Sequence, residues 1–211
     1  MKELDIDSWK RKSHFQFFNQ MDIPHFNITA DVDITYFYSY IKKNDLSFFK
    51  TLLYFVTKTA NEIEEFRLRI RNDRVIEHEV IHPSFTVMSN KDVFSFCDAY
   101  YVNSYDKFIE NVDKAIEAVE ENPVVADEEF RDETVYITSI PWVSFKSVSH
   151  PINVESNDSV PRLAWGKFYE QNDELKLPFS VQVHHALMDG QHVGLYYKEL
   201  QENLNNPEKV I

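Results

Sequence analysis

Between residues 175 and 183 the chain alternates. Phe179, Val181 and Val183 fall on one side, Ser180 and Gln182 on the other. A period of two is a strand with one buried face. After Gly190 the period changes: Val193, Tyr196, Tyr197, Leu200 and Leu204 recur at i, i+3, i+4, i+7 and i+11. That spacing is a helix. Between the two lies HHALMDG, residues 184–190. The chain must therefore pass from strand to helix with His184, His185 and Asp189 at the junction and His192 in the first helical turn. A strand end is a common place for reactive groups, because the scaffold holds side chains that the turn exposes.

The rest of the chain reads as mixed elements. Residues 26–34 alternate as a strand, with Ile28, Ala30, Val32 and Ile34 on one face. Residues 35–43 form a short helix and residues 47–65 a longer, mostly apolar one. Residues 66–71 and 75–79 form a hairpin about Asn72-Asp73. Residues 84–88 and 93–97 read as two strands, and 105–120 as an amphipathic helix. Residues 134–140 and 162–170 are strands, the second turning at residues 171–173 into the strand of the opening. The order predicts an α+β fold, in which helices cover a two-layer mixed or mostly antiparallel sheet. No repeat or low-complexity linker divides the chain. The acidic stretch at 120–133 reads as a loop inside one domain spanning residues 1–211.

Composition narrows the function. The net charge of −13 argues against a nucleic-acid partner, since phosphate contacts need a basic surface. With only three glycines, the chain has no glycine-rich phosphate loop. A single cysteine, Cys97, excludes an internal disulfide. No apolar run approaches the roughly 18 residues of a membrane span. A soluble, cytoplasmic protein is expected. A metal site is not: His184 and His185 are adjacent, and adjacent strand residues point to opposite faces. Asp189 before Gly190 is a helix N-cap on its own account. One histidine with a neighbouring carboxylate also fits acid–base chemistry, because an imidazole takes and returns a proton near neutral pH.

The segment QVHHALMDGQHVG resembles the H-H-x-x-x-D-G signature of the chloramphenicol acetyltransferase family, shared with other CoA-dependent acyltransferases. WKRKSHFQFF (9–18), HPSFTVM (82–88) and ITSIPWVSF (137–145) match further family segments in the same order. The resemblance covers nearly the whole chain. It implies an O-acetyltransferase that uses acetyl-CoA as co-substrate and a small hydroxyl-bearing acceptor such as chloramphenicol, with no metal. It also implies a homotrimer with active sites between subunits. By residue, it makes His185 the general base and pairs Asp189 with Arg11 to organise the site. The oxyanion donor falls on Thr138, where the family has serine, with Ser139 next along. Phe18, Phe26, Phe94 and Phe96 lie in segments that face the acceptor. His184 is expected to be structural, and His192 has no expected role.

The chain departs from the family at several acceptor positions. Phe96 replaces a small residue. Val125, Asp158 and Ser159 stand where aromatic residues are usual, and Leu187-Met188 where Val-Cys is common. A pocket of different shape is expected. Two alternatives follow: another acceptor, either lipoamide or a metabolite hydroxyl, and a non-catalytic small-molecule-binding relative.

Overall fold

The computed structural model describes residues 1–88, 93–121, 131–153 and 158–211. The strands are β1 (Lys2–Glu3), β2 (His25–Asp33), β3 (Leu68–Arg71), β4 (Arg74–Glu77), β5 (His82–Met88), β6 (Phe94–Asp98), β7 (Thr134–Ile140), β8 (Arg162–Gly166), β9 (Tyr169–Gln171) and β10 (Glu174–His184). The helices are α1 (Lys12–Phe18), α2 (Thr35–Lys43), α3 (Phe48–Glu62), α4 (Tyr105–Glu121) and α5 (Gly190–Asn205), and a 3₁₀ turn, Glu64–Arg67, follows α3. The large sheet runs β2-β10-β8-β7-β5-β6, with β9 on β10; a small sheet runs β1-β4-β3. The pairs β5–β7 and β7–β8 are parallel and the rest antiparallel, so the sheet is mixed, as expected.

Strand alternation gives the large sheet two unlike faces. On one, Val135, Ile137, Leu163, Trp165, Phe179, Val181 and Val183 are buried. They form one core with residues of α2, α3, α4 and α5. Helix α3 is apolar nearly all round, which suits only a buried helix. Thr51 to Ala60 are buried without a break except at Lys58, which helix geometry turns outward. The register places the opposite face in rows. Ser84, Tyr136, Arg162, Gln182 and Asn27 align across five strands, and Thr138, Ala164, Ser180 and Thr29 form the next row. This second face carries polar residues and opens into a cavity lined by Ser84, Tyr136, Thr138 and Arg162.

Two hairpins turn without glycine. Asn72-Asp73 (φ 49° and 61°) and Asn172-Asp173 (φ 54° and 63°) both adopt the left-handed region. Asn and Asp tolerate it better than other side-chain-bearing residues, and such turns match strand twist.

The structure corrects several of the expected elements. The apolar helix expected over 47–65 stops at Glu62, and the 3₁₀ turn takes over the rest. Residues 162–170 are not one strand: β8 ends at Gly166 and β9 begins at Tyr169. Another segment crosses there. Lys167 donates its N–H to the Val143 carbonyl at 2.9 Å, and Ser144 Oγ donates to the Lys167 carbonyl at 2.7 Å. A Cβ on Gly166 would lie 2.6 Å from the Val143 oxygen, so only glycine admits this crossing. Residues 12–18 form α1, whose short length hides it from periodicity. Val125 and most of the acidic stretch lie outside the described residues.

A smaller apolar cluster lies apart from the main core. Phe15, Leu68, Ile70, Val75, Ala186 and Leu187 are buried together, and Leu4, Ile6, Trp9 and Phe18 pack on them. It binds the N-terminal segment and the β3–β4 hairpin to the strand–helix junction, bringing residues 170 positions apart into one place.

Candidate active site

The junction starts at the last residue of β10. His184 is 3% exposed, and its Nδ1 accepts the Ala186 N–H at 3.3 Å. Its ring meets that of His25 edge-on, 4.9 Å between centroids. Burial, and then the neighbouring His25 and His185, push its pKa down to about 3. His184 is thus a neutral, packed acceptor. Its folded pKa lies below the ordinary 6.5, so the unfolded chain takes the proton first. We expect stability to be full above pH 6.5 and to fall by about 1.4 kcal/mol per pH unit from there toward pH 3. His25, His82 and His150, all shifted down chiefly by burial, act in the same direction. Denaturant titrations at pH 7 and pH 5 measure the slope, and His184→Gln should flatten it.

His185 follows just beyond the strand, its N–H on the Pro24 carbonyl at 2.7 Å. The imidazole lies parallel to Phe18 (3.8 Å between centroids, 11° between planes) and tilted against Phe26 (4.6 Å, 48°). Nδ1 is 3.1 Å from the Met188 carbonyl oxygen. A carbonyl only accepts, so Nδ1 carries the hydrogen and Nε2 keeps its lone pair.

Asp189 caps α5 from an extended backbone (φ −135°). Its Oδ1 accepts the Gln191 N–H at 2.9 Å, and its Oδ2 takes Arg11 Nη1 at 2.5 Å. Arg11 is 5% exposed, and its Nη2 donates to the His185 carbonyl at 3.2 Å. Burial raises the Asp189 pKa, but the Arg11 hydrogen bond and the Gln191 N–H outweigh it and leave the carboxyl below its ordinary range. Arg11 therefore joins the carboxylate to the backbone of His185, and Asp189 does not touch the imidazole.

The remaining residues stand elsewhere. A cavity of about 540 Å³ opens on the polar face of the sheet, lined by Thr138, Phe96, Tyr136, Arg162, Asp158 and His150, among others. Phe94 meets Phe96 edge-on (5.6 Å, 84°) and is 51% exposed. The four expected phenylalanines thus divide: Phe18 and Phe26 flank His185, while Phe94 and Phe96 stand on β6. Thr138 is in register with Ala164 and Ser180, and His185 lies five residues beyond Ser180 along the chain. Strand geometry puts Thr138 and His185 roughly 19 Å apart within one copy. Ser139 pairs with Trp165 and alternates onto the core-facing side.

Asp158 and Ser159, singled out by sequence as departures from the family, have partners that spacing does not show. Asp158 and Arg162 form an ion pair, each side chain 6% exposed, and the guanidinium lies 5.3 Å over the Tyr136 ring. Ser159 is no pocket residue: its hydroxyl accepts the Ile70 N–H at 2.9 Å. Among the described residues, His78, Asp132 and Glu133 come close enough together to hold a cation. Asp132, however, already accepts from Arg71 and is bonded to His78.

The sequence model of the chloramphenicol acetyltransferase family matches residues 1–201. The chain belongs to this family. A chloramphenicol acetyltransferase of Klebsiella sp is 30% identical over 200 residues, 94% of this chain and 91% of that protein. One from Staphylococcus aureus is 29% identical over 204 residues, 94% of each. Among solved structures, a chloramphenicol acetyltransferase superposes with a TM-score of 0.84 at 26% identity, covering 96% of this chain and all of that one. The dihydrolipoamide acetyltransferase of Azotobacter vinelandii shares the fold (TM-score 0.71, 15% identity, 94% and 88% covered). Membership makes the chain an acyltransferase, and the α+β architecture is that of the family. Among the described residues no helix is long and apolar enough to cross a membrane.

Proposed function

We propose that this enzyme transfers the acetyl group of acetyl-CoA to a hydroxyl of chloramphenicol or a similar small molecule, with His185 as general base. The observation that carries the reading is the Nδ1–H bond to the Met188 carbonyl, which leaves Nε2 as the acceptor. Two phenylalanine rings hold the imidazole in place. Nε2 takes the proton of the acceptor hydroxyl as that oxygen attacks the thioester carbonyl. Thr138 Oγ–H donates to the carbonyl oxygen as negative charge builds there, a contact worth about 3 kcal/mol in barrier height. The imidazolium then returns the proton to the departing thiolate. No protein nucleophile takes part, so both substrates are bound together and proximity supplies much of the rate. Cys97 is buried, and burial lifts its thiol to about 12, which fits an inert role.

The separation of roughly 19 Å between Thr138 and His185 within one copy supports a shared site. In this reading, Thr138 of one subunit meets His185 of the next in a closed homotrimer. Each copy is one acyltransferase domain spanning residues 1–211 and working in the cytoplasm, where acetyl-CoA is supplied. The cavity beside Thr138 suits the acceptor in size. A second acceptor reading rests on the Asp158–Arg162 pair, which makes one wall polar and favours a more polar hydroxyl compound than chloramphenicol. Thiol release from acetyl-CoA with and without chloramphenicol tests both. Release that depends on chloramphenicol is the expected result; none would remove this drug as acceptor.

A further inference from the structure

His192 has a second set of contacts that the cap does not need. Its Nδ1 accepts the Asp189 N–H at 3.1 Å, closing a capping box. Its Nε2 lies 3.1 Å from Glu65 Oε1, on the 3₁₀ turn that ends the buried α3. A carboxylate only accepts, so Nε2 carries a hydrogen. The two side chains are 13% and 17% exposed, so water competes little for the bond. The His192 hydrogen bond, stronger than the opposing effect of burial, holds the Glu65 carboxyl below its ordinary range. The contacts then run on without a gap: Glu65 to His192, His192 to the Asp189 backbone, Asp189 to Arg11, and Arg11 to the His185 carbonyl.

We propose that His192 and Glu65 are positioning residues for the reaction. They hold Asp189 at its backbone N–H and beside Oδ1 while Arg11 holds Oδ2, and through Asp189 and Arg11 they set where the His185 ring stands. This rests on His185 being the base. Neither residue touches a reacting atom, so both act on the geometry of turnover rather than on substrate affinity. A small misplacement of a reacting group is costly in rate, because proximity and alignment supply so much of it.

His192→Asn and Glu65→Ala test the idea, since Asn keeps an acceptor near the Nδ1 position and loses the reach to Glu65. Each should lower kcat about tenfold, with KM for both substrates within about twofold of the original enzyme. The double variant should fall no further than either single one, because one contact is broken in all three. Glu65→Gln keeps an acceptor for Nε2–H and should restore kcat. Unchanged kcat in both single variants, a loss that appears as raised KM, multiplying effects in the double variant, or a Glu65→Gln as impaired as Glu65→Ala would overturn the proposal. The ring ¹⁵N signals of His185 give a readout that needs no turnover. They should shift in His192→Asn and Glu65→Ala and hold in Glu65→Gln. If the unaltered enzyme itself releases no thiol, the function proposed above fails, while identical His185 signals in all variants would sink the positioning role alone.

Discussion

His185→Ala should lower acetyl transfer by about 10³-fold while leaving the protein folded. The direction follows from what the ring supplies. Nε2 is the one group at the junction with a free lone pair oriented by a hydrogen bond on the other ring nitrogen. Removing it leaves the acceptor hydroxyl to lose its proton to water. The fold should survive because the hydrogen bonds at this position that span the chain are made by the backbone. The N–H of residue 185 donates to Pro24, and its carbonyl accepts from Arg11; alanine keeps both. The capping box on α5 and the Arg11–Asp189 pair are also untouched. Thiol release and thermal unfolding, measured on the same preparation, separate the two effects. Turnover surviving in the alanine variant would sink the base assignment. Unfolding would instead show that the stacking of Phe18 and Phe26 on the ring is structural.

The junction was legible in the sequence because its signal is local. The change of period from two to 3.6 near residue 184 places β10, the turn and α5 within a residue or two of where they stand. The same holds for β7, whose ends at Thr134 and Ile140 agree with the alternation. What the sequence hid depends on distant partners. Periodicity cannot show that β8 breaks at Gly166, because the break is made by the Val143 carbonyl more than twenty residues earlier. Arg11 was legible only through family resemblance; on its own, a basic residue between Lys10 and Lys12 reads as solvent-exposed. Glu65 gave no signal at all. His192 gave a faint one, three residues after an Asp N-cap, where a capping-box partner belongs. The Asp158–Arg162 pair was missed for a plainer reason. Charged residues seldom bury fully unless paired, and pairing is not written in spacing.

Thr138→Val should lower kcat by about 10²-fold with little change in KM, since the hydroxyl matters only once charge has built on the thioester oxygen. Valine keeps the volume and the β-branched stiffness of threonine, and a strand tolerates it well, so the loss isolates the donor. Thr138→Ser restores the donor at the cost of a freer χ1 and should recover most of the rate. The same variant reaches further when combined with His185→Ala. If both residues served one site within a single copy, mixing two defective variants would restore nothing. If the site forms between copies, a refolded equal mixture pairs an intact Thr138 of one subunit with an intact His185 of another in about a quarter of its sites. Activity should then rise to about a quarter of the unaltered enzyme's, from two preparations that are each nearly inactive. The strand register makes this the stronger test. Within one copy the two groups are separated by two strand spacings and five residues along the chain, and no side-chain rotation closes that gap. Failure of the mixture to regain activity, with oligomers shown to exchange subunits, would mean that Thr138 is not the donor His185 works with. The oxyanion would then have to be met by a group close to the junction itself.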